Sequence, residues 1–181
     1  MSDKIFDRYK VIDTDTHITE PHDVWTSRVS SKWGDKVPHI RQIEGRDMWF
    51  IGDLPCGGPG FYTMAGHDGT FPEVPLGYAD IPDASYDAHA RLKVMDEEGI
   101  YAMVLYPNLG GFGSGGFLRL GEPELMLECV QAYNDFLVEW ASADSNRLLP
   151  TMALPFWDID ACVKEVARSA EKGHRAVLAG S

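Results

Sequence analysis

Tyr9-Lys10-Val11-Ile12-Asp13-Thr14-Asp15-Thr16-His17-Ile18-Thr19-Glu20-Pro21 is an apolar run that breaks into carboxylates, hydroxyls and one imidazole. The pattern predicts a buried strand over residues 9–13 that delivers polar side chains at its C-terminal end. Three more apolar runs follow: Ala102-Met103-Val104-Leu105-Tyr106, Leu148-Leu149-Pro150-Thr151-Met152-Ala153-Leu154 and His174-Arg175-Ala176-Val177-Leu178-Ala179. Amphipathic stretches separate them. Ser85 is placed to cap a helix running to residue 98, with Ala88, Leu92 and Met95 on one face and Gly99 as its stop. Residues 122–142 carry the stripe Leu125, Cys129, Val130, Tyr133, Phe136, Leu137 and Trp140. Residues 158–172 turn Val163, Val166, Ala167 and Ala170 inward and stop at Gly173. Near-continuous apolar strands alternating with helices indicate an α/β fold with a parallel sheet. An open doubly wound sheet and a (β/α) barrel both satisfy that pattern.

Residues 22–84 interrupt it. Pro and Gly are frequent there and periodicity is poor. Residues 39–43 and 48–51, joined through Glu44-Gly45-Arg46-Asp47, read as a β-hairpin. Residues 54–82 read as a long excursion of the lid or binding-wall kind. The Gly-rich segment over residues 109–116 contains a formal G-x-G-x-x-G, but its helix starts only near Glu122, so a flexible lid is the better reading than a nucleotide site.

Composition narrows the class. With 28 acidic and 16 basic side chains the formal charge is −12, which argues against a nucleic-acid partner. No run of ~18 apolar residues offers a membrane span, and residues 1–8 lack a signal-peptide core, so a cytoplasmic location is expected. Cys56, Cys129 and Cys162 are scattered without C-x-x-C spacing, which signals neither a disulfide framework nor a thiolate zinc site. Cys129 and Cys162 read as helix core, and Cys56 as a loop residue.

Chemistry concentrates at Asp13, Asp15 and His17. Residues two apart on a strand share a side, so the three are expected to converge at its C-terminal mouth. A carboxylate and an imidazole presented together suit Zn²⁺, Mn²⁺ or Fe²⁺. The competing reading is a solvated loop with local turn hydrogen bonds.

The stretch from Val11 to Pro21, with Asp23-Val24-Trp25 after it, resembles the opening of the amidohydrolase-related proteins. The branch is that of aminocarboxymuconate-semialdehyde decarboxylase and the resorcylate decarboxylases. Arg91-Leu92-Lys93-Val94-Met95-Asp96-Glu97-Glu98-Gly99-Ile100, Val104-Leu105-Tyr106-Pro107, Tyr133-Asn134-Asp135-Phe136 and Arg147-Leu148-Leu149-Pro150 are similar to it as well. The resemblance implies a (β/α)₈ barrel with one divalent metal ion, Zn²⁺ first, held in part by Asp15 and His17. Glu20 ranks as a third, weaker ligand and Asp13 as a support behind them. It also implies hydrolysis or non-oxidative decarboxylation of a small carboxylated or ring substrate, with the metal as Lewis acid.

A complete barrel needs eight strands and typically ~250 residues. The expectation is therefore the N-terminal half of a barrel, about four strand–helix units in one partial domain over residues 1–181, with residues 22–84 inserted. The family's remaining ligands and its acid–base group come from later strands, so no catalytic residue is assigned here. His174 stands at the beginning of its strand and is no substitute. His22, His39 and His89 follow no ligand spacing. Trp25, His67, Tyr106 and Asn108 are candidate substrate contacts, and Trp33, Trp49, Phe61, Tyr62 and Phe71 are candidate pocket aromatics. For Trp25 and Trp49 the favoured reading is that they anchor the insertion to the barrel wall. Expected partners are a small molecule and a second copy. The alternative to an enzyme is a non-catalytic half-barrel that self-associates or acts as a binding module.

Overall fold

The computed structural model describes residues 9–64, 67–70, 72–110 and 112–179, without the side chains of residues 112–114. Phe71 and the polar residues 1–8 lie outside the described residues. Four strands, β1 (Val11–His17), β5 (Ile100–Tyr106), β6 (Leu148–Ala153) and β7 (Ala176–Leu178), form an all-parallel sheet in the order β1-β5-β6-β7. Helices α1 (Ala88–Glu98), α2 (Pro123–Ala141) and α3 (Ile159–Lys172) connect them. This order decides between the two candidate architectures. A doubly wound sheet reverses strand order at a switch point. Here order follows the chain, and right-handed crossovers without reversal lay every helix on one face. That is the winding of half a barrel.

Met103, Leu105 and Leu148 from the sheet meet Met95, Leu125, Cys129, Val130, Tyr133 and Leu137 from the helices in one core. Helix ends follow local chemistry. Asp158 caps α3 by accepting from Ala161 N at 3.0 Å. Gly99 (φ 72°) and Gly173 (φ 116°) close α1 and α3 in the left-handed region, where a Cβ is strained. The start of α1 corrects the sequence reading: Asp87, not Ser85, is the cap, accepting from Ala90 N at 2.7 Å. Ser85 instead donates its hydroxyl to Pro82 O and belongs to a 3₁₀ turn.

The largest correction concerns α3. Its apolar stripe was expected inward, yet Glu165 and Ser169 are the buried residues, while Val163 is 67% and Ile159 73% exposed. Polar bonding sets this rotation. Glu165 accepts from Asn134 Nδ2 (2.7 Å), Ser169 Oγ (2.9 Å) and both Nε (2.8 Å) and Nη2 (2.7 Å) of Arg168. Such a network outweighs a few apolar contacts because each of its groups is costly to bury unpaired.

The insertion is stitched into the core. Its hairpin, β2 (His39–Ile43) and β3 (Arg46–Ile51), turns through Glu44 and Gly45, both at positive φ, and adds the two-residue β4 (Leu54–Pro55). Val24, Trp25, Val29, Val37, Trp49 and Ile51 pack in the same cluster as the helices. Lys32 and Lys36 pair with Glu124 and Glu122 along α2, and Trp33 Nε1 donates to Glu128. The expected Gly-rich lid is a 3₁₀ segment, Phe112–Leu120, whose Phe117 is buried edge-on against Trp25.

Candidate functional site

β1 is not a regular strand. Asp13 pairs with Met103 and Thr16 with Leu105, so three steps on β1 match two on β5. The extra residue is a bulge, and bulges re-aim side chains beside functional sites. Met103 and Leu105 point into the helix-side core, so Asp13 and Thr16 share that face. Asp15 and His17, flanking Thr16, take the opposite one. The three-residue convergence expected from simple alternation therefore reduces to a pair. Asp13 closes the bulge instead, its Oδ1 accepting the Asp15 N–H at 3.1 Å.

Asp15 Oδ1 and His17 Nε2 stand 3.7 Å apart. His17 Nδ1 lies 2.9 Å from the Pro107 carbonyl oxygen. A carbonyl only accepts, so Nδ1 carries a proton in this contact, and Nε2 is the ring nitrogen that faces Asp15. A cavity of about 660 Å³ passes the edge of β1: Asp15 and His17 line it from one face, and Asp13, Thr16 and Met103 from the other, next to Arg91, Val94 and Glu98 of α1, with Tyr62, Thr63 and Asn108 along its wall.

Glu20 does not join the pair. It is 1% exposed, and its Oε1 accepts from Asn108 N (2.8 Å) and Leu109 N (3.0 Å). Among the described residues no three His, Cys, Asp or Glu side chains converge as a metal cluster. Of the candidate substrate contacts, Asn108 borders the cavity while its Nδ2 donates to Ile18 O at 2.9 Å. The Tyr106 ring lies 5.9 Å from that of His17. His67 is outside the cavity lining, with its Nε2 against Gly69. Trp25 is fully buried, donating to Cys129 O at 3.0 Å and edge-on to Trp49, so it anchors the insertion and does not reach the cavity.

Sequence reasoning missed Arg91. Its buried guanidinium ties the segments together, with Nε donating to Ala84 O and Nη2 to His17 O at 3.3 Å. A charged residue three after Ala88 and four before Met95, on the buried face of α1, was the available signal.

This half-barrel is similar to an amidohydrolase from Mycobacterium avium subsp. paratuberculosis K-10. The two are 25% identical with a TM-score of 0.72, over 93% of this chain and 49% of that one. The fold is that of an amidohydrolase half-barrel. The chain spans about half the length of that relative. Two more distant structures share the fold. A dihydroxybenzoic acid decarboxylase from Polaromonas sp. JS666, holding manganese and 2-nitroresorcinol, is 17% identical (TM-score 0.51, 93% of this chain, 37% of that one). The IDCase of Metarhizium anisopliae in apo form is 14% identical (TM-score 0.56, 95% and 42%). No family model and no curated relative matches the chain.

Within the amidohydrolase half-barrel, the residues present fit a divalent cation in part. Asp15 Oδ1 and His17 Nε2, 3.7 Å apart, are an oxygen and a nitrogen donor of the kind that would hold a divalent cation. The Nδ1–H bond to a carbonyl is the support that metal-bound imidazoles commonly carry. Two protein ligands are short of the usual three of a catalytic zinc site.

Burial pushes the Glu20 carboxyl up from its ordinary 4.5 to about 7, against the lowering effect of its backbone N–H donors. The folded state holds the proton more tightly, so this stabilisation is full below pH 4.5 and is lost as pH rises through about 7. The difference is about 3 kcal/mol across that window. Urea unfolding at pH 5 and pH 8 is expected to show this fall in wild type, with Glu20→Gln flatter by that amount. Parallel profiles would refute it.

Proposed function

We propose that this chain is the metal-ligating part of a divalent-metal-dependent hydrolase or non-oxidative decarboxylase acting on a small carboxylated or ring substrate. The observation that carries the reading is the Asp15–His17 pair beside a cavity, with His17 fixed by the Pro107 carbonyl. Asp15 Oδ1 and His17 Nε2 would hold the cation, zinc or manganese, and the other ligands and the acid–base group would come from outside the described residues. When bound, the cation supplies Lewis-acid polarisation of a substrate oxygen and, for hydrolysis, an acidified water.

The chain's own residues prepare the place. The bulge held by Asp13 turns Asp15 and His17 to one face, and Arg91 holds the His17 carbonyl to α1. Tyr62 and Met64 add an apolar wall that favours a ring over a fully hydrated solute.

The test is calorimetric titration of metal-free protein with Zn²⁺ and Mn²⁺. Binding of one cation per chain is expected, weak for want of a third ligand. Asp15→Ala with His17→Ala should lower affinity about tenfold or more. Binding that is unchanged in the double variant overturns the assignment.

A second reading, a half-barrel that associates with another chain, is favoured by the exposed apolar side chains Ile159 and Val163 on α3, with Phe156 just before it and Val177 on β7 exposed as well. Sedimentation of wild type against Ile159→Lys/Val163→Lys distinguishes the two, because only association depends on that face.

A further inference from the structure

The Glu20 carboxylate and the His17 imidazole are not in contact, yet both bond to one peptide group. Glu20 Oε1 accepts the Asn108 N–H at 2.8 Å, and the carbonyl of that same peptide, Pro107 O, lies 2.9 Å from His17 Nδ1. A trans peptide is rigid and planar, with N–H and C=O pointing in opposite directions. Fixing one end of the plane therefore fixes the direction of the other. The Leu109 N–H at 3.0 Å holds Glu20 from the next peptide, and the Tyr78 hydroxyl donates to the Glu20 backbone carbonyl. Asn108 Nδ2 to Ile18 O at 2.9 Å and Ile18 N to Tyr106 O at 3.2 Å complete the stitching of the two strand ends.

We propose that Glu20 is a positioning residue for His17, acting through the Pro107–Asn108 peptide, and not a ligand of the cation. The carboxylate draws density along the amide, the carbonyl becomes a stronger acceptor, and the Nδ1–H bond tightens. Nε2 is thereby held as the basic nitrogen and aimed at the position shared with Asp15. The arrangement is a carboxylate–histidine pair with a peptide inserted between its members. Its buried setting matters, since a solvated carboxylate would be screened from the amide.

This inference rests on the metal-binding reading for its purpose, but its first readout needs no metal. At pH 8, metal-free protein labelled with ¹⁵N should show His17 as the Nδ1–H tautomer. In Glu20→Ala that preference is expected to fall, and Zn²⁺ affinity to drop about 10- to 100-fold. A folded Glu20→Ala protein with the wild-type tautomer ratio overturns the proposal.

Should Glu20→Ala fail to fold, Glu20→Gln decides, because it keeps an acceptor and removes only the charge. The Asn108 amide proton and the His17 Nδ1 proton are then expected to shift upfield together. A shift confined to Asn108 and Leu109 overturns the relay. If wild type binds no cation, the functional reading fails while the tautomer result still tests this one.

Discussion

Trp25→Ala is expected to remove about 4 kcal/mol of stability, because it empties the joint between insertion and barrel wall. Trp25 is 0% exposed, edge-on to Trp49 at 5.4 Å and to Phe117 at 5.8 Å, and its Nε1 donates to Cys129 O at 3.0 Å. Truncation forfeits the transfer of an indole, leaves a cavity among large neighbours and deletes one hydrogen bond. For a chain of this size the loss corresponds to a fall in midpoint of roughly 10 °C. Trp25→Phe keeps most of the buried area and loses mainly the N–H bond, so about 1–2 kcal/mol is expected. Urea denaturation of both variants checks the order. A loss below about 1 kcal/mol for the alanine variant would mean that the insertion is not held through this residue.

Glu165→Ala should cost about 3 kcal/mol, near the lower end for breaking a buried ion pair. Glu165 is 1% exposed, whereas Arg168 reaches solvent and keeps a second partner in Asp135 at 2.7 Å, which moderates the loss. The damage passes to the sheet through Asn134. That side chain donates to Ala153 O at 3.0 Å and accepts from Ala153 N at 2.8 Å, acting as a backbone mimic at the end of β6. Without Glu165 its Nδ2 loses the stronger of two acceptors. Glu165→Gln retains the acceptor and should cost less. Hydrogen exchange at the Ala153 amide reports the link directly: faster exchange in Glu165→Ala is expected, and unchanged protection would show the two to be uncoupled.

Much of this protein was legible residue by residue. The four apolar runs, the three helices, the hairpin turn at Glu44-Gly45 and the stops at Gly99 and Gly173 follow from period and from backbone chemistry that acts over a few residues. The stripe on α2 was also readable, since Leu125, Cys129, Val130, Tyr133, Phe136 and Leu137 are all buried. The stripe on α3 misled, because Val163 is apolar in any context while Glu165 is buried only when Asn134, Ser169 and Arg168 are assembled around it.

The site divides the same way. The sequence alone supplied the D-x-H pair and the parallel order of strands and helices, because both are local patterns repeated along one chain. Only the tertiary structure decided that a bulge splits Asp13 from Asp15 and His17, that Trp25 lies in the core, and that Glu20 addresses a peptide just past the end of β5. Those outcomes depend on register and burial between segments some ninety residues apart, and neither quantity exists until the strands have paired.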